Sequence, residues 1–364
     1  MKVAIILGTR PEIIKMAPVI KELQHRQGDF FILHTGQHYS YNLDRVFFEQ
    51  LKLPQPRHNI EVGSGSHAEE TGKMLIGIEK VLLEERPDVV LVEGDTNSVL
   101  AGALAAAKLH IKVGHVEAGL RSGDRNMPEE INRVLTDHCS DYLFAPTEKA
   151  KANLLAEGIP QEKIFVTGNT IVDAIHQNLE IARSSANIIN NLRLKPKEYF
   201  LVTLHRQENV DNRERFASIL EGLSQVADEF RLPVIYPIHP RSRNKMSHFS
   251  LEPKNLELIE PLGFLGFIQL EANARLILTD SGGVQEEACI LGVPCVTLRD
   301  NTERPETIEV GSNILAGAIP KKIVDCCQKM LGKQNKWENP FGDGKAGERI
   351  VKILDAHNTK ASNI

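Results

Sequence analysis

The chain of 364 residues is longer than one hydrophobic core usually organises, so its length predicts two domains. Hydrophobic residues make up 41% and charged residues 25%, and the net charge of -5 gives no basic field of the kind that binds nucleic acid or an anionic membrane. The five cysteines form no C-x-x-C pair and no apolar run suits a signal peptide or a membrane span, so we predict a cytoplasmic protein without disulfides or zinc.

Short β-branched runs alternate with amphipathic helical stretches, which is the pattern of an α/β fold with parallel sheets wrapped by helices. Strands are predicted at 3–7, 30–35, 88–93, 112–117 and 142–145, and again at 199–203, 234–237, 256–259, 276–279 and 295–298. The interruption between the two series predicts a first domain at 1–168 and a second at 169–347, with a last helix at 348–364 that could cross back to the first.

The first predicted strand ends in the segment GTRPEIIK, residues 8–15. Thr9 and Glu12 have the spacing of a helix capping box, which requires neither Arg10 nor Lys15. Because anions bind at helix N-termini, we predict that these two cations contact a phosphate or the substrate.

Three carboxylates follow later strands of the first half: Asp95, Glu117 and Glu129. Asp95 could only cap the next helix, and Glu129 could only interact with a helix dipole. If the three meet in one crevice, however, burial and mutual repulsion raise carboxyl pKa values into the range of general acid/base catalysis.

In the second half, His205, Arg206 and His239 follow two predicted strands. Each group could belong to a solvated loop, but imidazole and guanidinium groups at adjacent strand ends predict anion binding.

The segment TDSGGVQEE, residues 279–287, predicts a diphosphate site. Ser281 can cap the following helix, and Gly282 and Gly283 let a diphosphate approach free backbone N–H groups. Glu287 lies one turn further on, where it can accept ribose hydroxyls, and Arg304 after the next strand adds a cation.

Two apparent nucleotide motifs lack the right context. Residues 342–347 match G-x-G-x-x-G and residues 63–68 match its looser form, but neither follows a convincing strand. The absence of a Walker A lysine motif from the sequence disfavours an ATPase.

Seven segments in order along the chain resemble the non-hydrolysing UDP-N-acetylglucosamine (UDP-GlcNAc) 2-epimerases: GTRPEIIK, EGDTNS, GHVEAGLRSGD, PEEINR, LHRQEN, TDSGGVQEEA and RDNTERPE. The resemblance implies two Rossmann-like domains that face each other across a cleft, as in GT-B-like folds, and a homodimer. It also implies interconversion of UDP-GlcNAc and UDP-N-acetylmannosamine (UDP-ManNAc) through elimination of UDP to a 2-acetamidoglucal and its re-addition.

This route requires no redox cofactor or metal, and the resemblance implies the residues that serve it. The predicted catalytic residues are Asp95, Glu117, Glu129 and His205, and the predicted substrate-binding residues are Arg10, Lys15, His239, Phe267, Ser281, Gly282, Gly283, Glu287 and Arg304.

Many bacterial members also bind a second UDP-GlcNAc as an allosteric activator. Gln37, His38 and Arg206 match parts of that site, whereas Ser40 and Lys73 depart from the bacterial pattern.

Three other activities use similar residues. A GT-B-type glycosyltransferase has the same architecture but needs an acceptor, and a 2-epimerase of UDP-diacetamido-uronic acids shares most of the segments. A hydrolysing epimerase would release UDP and N-acetylmannosamine. A nucleotide-sugar sensor would not require paired acid/base groups.

Overall fold

The computed structural model describes residues 1–36, 41–184, 187–333 and 336–361. The chain divides into a first unit, Met1–Ala174 with Phe341–Ile364, and a second unit, Ile175–Pro340. Each unit contains one parallel sheet flanked by helices, so the predicted α/β class with two parallel-sheet domains is confirmed.

The sheet of the first unit has the order β3-β2-β1-β4-β5-β6-β7. Its strands are β1 (Lys2–Leu7), β2 (Asp29–His34), β3 (His58–Asn59), β4 (Val89–Glu93), β5 (Lys112–Val116), β6 (Tyr142–Ala145) and β7 (Ile164–Val166). Its helices are α1 (Arg10–His25), α2 (Tyr41–Gln50), α3 (His67–Glu85), α4 (Asn97–Lys108), α5 (Pro128–Cys139) and α6 (Glu148–Ala156), and α7 (Thr170–Ser184) contains the boundary between the units.

The sheet of the second unit has the order β10-β9-β8-β11-β12-β13. Its strands are β8 (Phe200–Thr203), β9 (Val234–Pro237), β10 (Glu257–Ile259), β11 (Leu276–Thr279), β12 (Cys295–Thr297) and β13 (Asn313–Leu315). Its helices are α8 (Ile188–Asn191), α9 (Gln207–Val210), α10 (Arg213–Phe230), α11 (Pro240–His248), α12 (Phe264–Asn273), α13 (Gly282–Ile290), α14 (Pro305–Glu309) and α15 (Pro320–Leu331).

The central strands β1 and β4 are apolar on both faces because helices cover both sides of the sheet. Alternate residues point to opposite faces of a strand. Ile6 and Val92 therefore pack on one face, in the core formed with α3 and α4, while Glu93 points to the other face, where α1 lies. This alternation positions the polar end of β4 beside α1.

The last helix, α16 (Ala346–Ala361), belongs to the first unit and packs against α1. A Cβ on Gly347 would lie 2.9 Å from the backbone carbonyl carbon of Pro18, so this crossing requires glycine. The Asp173 carboxylate accepts hydrogen bonds from Ala346 N and Gly347 N, at 3.1 and 3.0 Å, and so occupies the N-terminus of α16.

The edge strands β3, β7 and β13 are two or three residues long, too short for the alternating pattern to predict them. Among the described residues, no helix combines the length and the apolar character that a membrane crossing requires.

Candidate active site

Lys15 on α1 joins two carboxylates at neighbouring strand ends. Its ammonium nitrogen lies 3.2 Å from Glu93 Oε1 at the end of β4 and also pairs with Glu117 Oε2 directly after β5. Because β4 and β5 pair in parallel, their carboxyl ends meet at one edge of the sheet. Burial raises the pKa of Glu93 well above its usual value, the Lys15 charge opposes this rise, and Glu117 adds to it. The sequence predicts roles for Lys15 and Glu117 but assigns none to Glu93.

The predicted strand 112–117 is one residue too long, because β5 ends at Val116 and Glu117 has a φ of 69°. This left-handed backbone costs about 1–2 kcal/mol for a residue with a side chain. It ends the strand's alternation and directs the carboxylate to Lys15. Gly119 follows with a φ of 83°, and a Cβ there would overlap the carbonyl oxygen of Ala150.

The turn from β1 into α1 is held by Glu12. Its carboxylate accepts hydrogen bonds from Gly8 N at 2.5 Å and from the Thr96 hydroxyl at 2.5 Å. Burial raises the pKa of Glu12 to about 7, although these donors oppose the shift. Arg10 is exposed at the start of α1, with its guanidinium 5.0 Å from the ring centroid of Phe47.

Asp95 does not cap α4, so the interpretation of this residue as an N-cap is wrong. Thr96 is the N-cap, and its hydroxyl accepts a hydrogen bond from Val99 N at 3.4 Å. The Asp95 carboxylate instead pairs with the guanidinium of Arg133 on α5, and 32% of its side chain is exposed. Asp95 therefore has both a guanidinium partner and access to solvent.

Glu129 is exposed in the first turn of α5, where a glutamate also interacts favourably with the helix dipole. Its neighbour Glu130 is buried and accepts hydrogen bonds from Ser122 N and Gly123 N, both at 3.0 Å. Glu130 thus anchors the loop after β5, a role that the sequence does not predict. The catalytic role of Glu129 stays a prediction.

A buried ion cluster lies on the α5 side of the same strand ends. Asp137 on α5 contacts His115 Nδ1 at 2.6 Å and Arg121 Nη2 at 2.8 Å, and it accepts a hydrogen bond from Gly119 N at 3.2 Å. His115 Nε2 lies 2.8 Å from the carbonyl oxygen of Gly94. The cluster therefore ties together the loops that carry Asp95 and Glu117.

We expect Asp137→Ala to lower the free energy of unfolding by about 3–5 kcal/mol, because it leaves the Arg121 guanidinium and the His115 ring without their buried carboxylate partner. Burial opposes ionisation of Asp137, but His115 and Arg121 lower its pKa below the usual 3.8. The stabilisation that ionised Asp137 provides is complete above pH 3.8 and is lost as the pH falls through the lower pKa of the folded state. The difference in unfolding free energy between Asp137→Ala and the wild type should therefore shrink in acid. Urea unfolding across pH tests this, and a loss below about 1 kcal/mol at neutral pH would contradict it.

In the second unit, Asp280 positions the loop after β8. This fully buried carboxylate accepts hydrogen bonds from His205 N at 3.1 Å, from Arg206 N at 2.9 Å and from Asn209 Nδ2 at 3.1 Å. The His205 side chain is 46% exposed, and its Nδ1 lies 3.2 Å from Asp280. The predicted imidazole is therefore both anchored and open to solvent.

Glu303 lies among three arginines of the second unit. Arg206 and Arg299 contact its two carboxylate oxygens at 2.9 and 2.7 Å. Burial opposes ionisation, but the charges of Arg304, Arg299 and Arg206 lower the pKa of Glu303 to about 2. A Cβ on Gly282 would overlap the Glu303 carboxylate, so a larger residue there would displace this carboxylate.

The N-terminus of α13 lies beside these cations. Ser281 is its N-cap residue, but the Ser281 side chain makes no capping hydrogen bond, contrary to the predicted capping role. Arg304 is buried and its Nε lies 2.9 Å from Glu286 Oε1 on α13. Gly283 is exposed, and the N–H groups of the first helical turn have no helical partners. This helix end therefore combines the features of an anion site.

The other predicted residues of the second unit lie on separate elements. Glu287 on α13 faces Glu271 on α12, which is fully buried and whose pKa is raised above its usual value by burial and by Glu287. His239 is the N-cap of α11, where its Nδ1 accepts a hydrogen bond from Arg241 N. Phe267 lies on α12 and packs against an apolar core of the second unit.

The predicted allosteric site is only partly described. Gln37 and His38 lie outside the described residues, as does Ser40. Arg206 is described, and it contacts Glu303.

The amino-acid sequence matches the family model described as UDP-N-acetylglucosamine 2-epimerase over residues 21–355. The chain belongs to the UDP-N-acetylglucosamine 2-epimerase family. The family predicted from the sequence, its non-hydrolysing branch, is therefore confirmed.

Two relatives, one of them also compared through its crystal structure, illustrate the similarity of this 2-epimerase family member to known proteins. The UDP-N-acetylglucosamine 2-epimerase of Methanocaldococcus jannaschii is 61% identical over 361 residues, covering 97% of this chain and 99% of the relative. A crystal structure of the M. jannaschii enzyme in complex with UDP-GlcNAc and UDP has a TM-score of 0.90 at 60% identity, covering 98% of this chain and 100% of that one. The UDP-2,3-diacetamido-2,3-dideoxy-D-glucuronate 2-epimerase of Pseudomonas aeruginosa is 43% identical, covering 97% of this chain and 99% of the relative.

Sequence reasoning missed the partners that hold the predicted residues of this family member. These are Glu93, Arg133, Asp280 and Glu303. Each lies within or next to a segment that carries a predicted residue, so its position was visible in the sequence, but its contacts depend on the fold.

Proposed function

We propose that this chain interconverts UDP-GlcNAc and UDP-ManNAc. A base removes the proton from C2 while the C1–O bond breaks, UDP leaves with the bonding electrons, and a C1=C2 double bond forms. UDP oxygen then adds back to C1, and an acid delivers a proton to the opposite face of C2. The reaction needs two proton-carrying groups and a site for an anionic leaving group.

The observation that carries the proposal is the pair of carboxylates at neighbouring strand ends, Asp95 and Glu117. Arg133 pairs with Asp95, and Lys15 contacts Glu117 within a buried cluster. Two carboxyl groups in such different surroundings are suited to opposite acid and base roles.

The second unit supports the other half of the reaction. The N-terminus of α13, with Gly282 and Gly283, provides backbone N–H groups, and Arg304 and Arg206 provide positive charge. We propose that this set binds the diphosphate and stabilises UDP when the C1–O bond breaks. Glu287 accepts the ribose hydroxyls in this arrangement.

Incubation with UDP-GlcNAc in deuterated water, followed by NMR of the sugar, tests the function. We expect deuterium at C2 and accumulation of UDP-ManNAc. Release of free N-acetylmannosamine would indicate hydrolysis instead. An unchanged UDP-GlcNAc, with turnover of a UDP-diacetamido-uronic acid, would transfer the proposal to the substrate named for the P. aeruginosa relative.

A homodimer and a cytoplasmic location stay predictions. Apolar side chains on α3 and α5 support an interface between copies, because Ile76, Leu83, Ile131 and Leu135 are 73%, 57%, 43% and 47% exposed. Both α3 and α5 pack against α4, so the exposed apolar side chains lie on neighbouring helices. Light scattering that gives the mass of a single chain would contradict the dimer.

A further inference from the structure

Glu93 belongs to the buried cluster of charges that contains Lys15 and Glu117, and the proposed function gives Glu93 no role. Only 1% of the residue is exposed, and its Oε1 lies 3.2 Å from the Lys15 ammonium nitrogen, which also pairs with Glu117. Its position at the end of β4 places it on the α1 face of the sheet. His115 pairs in register with Val92, so it points to the opposite face, towards Asp137.

The charges in this cluster do not balance if every carboxyl group is ionised. Glu93 and Glu117 would carry two negative charges against the single positive charge of Lys15, and Glu12 on α1 adds repulsion. Two buried carboxyl groups that interact this closely release their protons in two separate steps that belong to the pair. The single ammonium stabilises one ionised carboxylate, and the other retains its proton.

We propose that Glu93 and Glu117 share one proton beside Lys15, and that Glu93 is a positioning residue that keeps Glu117 protonated until it acts as the acid at C2. This inference rests on the proposed function. The Asp95 carboxylate, paired with Arg133, accepts the C2 proton. The shared proton passes from Glu117 to the other face of C2, so the two carboxyl sites exchange their protonation states in one turnover.

Glu93→Gln tests this role through the pH dependence of kcat. Without the second carboxylate, Glu117 beside Lys15 loses its proton more readily. The alkaline limb of kcat should move to lower pH by roughly one unit or more, and kcat above neutral pH should fall about tenfold. The affinity for UDP should stay within about twofold, because the diphosphate set is not altered.

Lys15→Met provides the opposite test. Removing the ammonium should make the pair hold its proton more tightly and move the alkaline limb to higher pH. Glu148→Gln serves as a control for the carboxamide change, because the Glu148 side chain is 76% exposed on α6, and its profile should match the wild type. If Glu93→Gln does not fold, an NMR titration of the wild-type carboxyl groups decides.

An unmoved alkaline limb in a folded Glu93→Gln or Lys15→Met protein would overturn the inference and leave Glu93 a structural role alone. If the wild type has no epimerase activity, the proposed function fails separately. Carbon-13 NMR titration of labelled glutamate carboxyls in the full chain still tests the pair. Besides Glu12 and Glu271, whose pKa values are raised by burial, we expect one further carboxyl that remains protonated at neutral pH in the wild type and not in Glu93→Gln, and its absence from the wild type would overturn the inference.

Discussion

Asp95→Asn and Glu117→Gln should each lower the rate of C2 epimerisation by about 100- to 10,000-fold, the range typical of losing a general acid or base. Each change preserves the shape of the side chain and removes its capacity to carry the transferred proton. The surroundings differ: Asp95 is paired with Arg133, and Glu117 with Lys15. Steady-state kinetics with UDP-GlcNAc and deuterium exchange at C2 measure the loss.

Binding of UDP separates this effect from damage to the fold. Calorimetry should give a Kd for UDP within about threefold of the wild type in both variants, because neither residue belongs to the proposed diphosphate set. Glu148→Gln, the same change at an exposed position, should retain full activity. Full activity in both Asp95→Asn and Glu117→Gln would refute the acid/base assignment.

Arg304→Ala should weaken UDP binding by about 10- to 100-fold, which corresponds to the loss of a charge-assisted hydrogen bond of about 1.5–3 kcal/mol. Arg304 is the N-cap of α14, and its guanidinium lies 2.9 Å from Glu286 in the first half of α13. The positive charge is therefore held where the diphosphate is proposed to bind. Calorimetric titration with UDP gives the affinity.

The truncation also leaves the Glu286 carboxylate, which is 1% exposed, without this guanidinium. Glu286→Gln combined with Arg304→Ala removes that buried charge and should regain stability but not affinity. Arg275→Ala is the matched control, because Arg275 is exposed just before β11, at the strand end remote from Thr279. Equal UDP affinity in Arg304→Ala and Arg275→Ala would contradict the role of Arg304.

The sequence locates the loops of the candidate site because parallel strands place their polar residues directly after apolar runs. Residues 94–96 and 280–281 show this clearly, since each segment follows a buried strand and precedes a helix. The type of fold and the positions of Asp95 and Ser281 in it follow from this local pattern.

The partners of those residues could not be predicted in the same way. Glu117 reaches Lys15 only because its backbone is left-handed, a conformation that strand propensity argues against. Whether Asp95 or Thr96 caps α4 is decided by Arg133, which is distant in sequence and attracts the Asp95 carboxylate. The steric restriction at Gly282 could not be predicted from the local sequence either, because it comes from Glu303 in a later segment of the chain.

The first unit becomes a complete structure only after the second unit has been synthesised, because residues 341–361 follow the second unit in the chain. These residues carry the helix that covers α1 and the amides that bind Asp173. The second unit is one continuous segment, so it can fold while synthesis continues. Until then, the nascent first unit presents an uncovered apolar surface on α1, which is the kind of surface that chaperones bind.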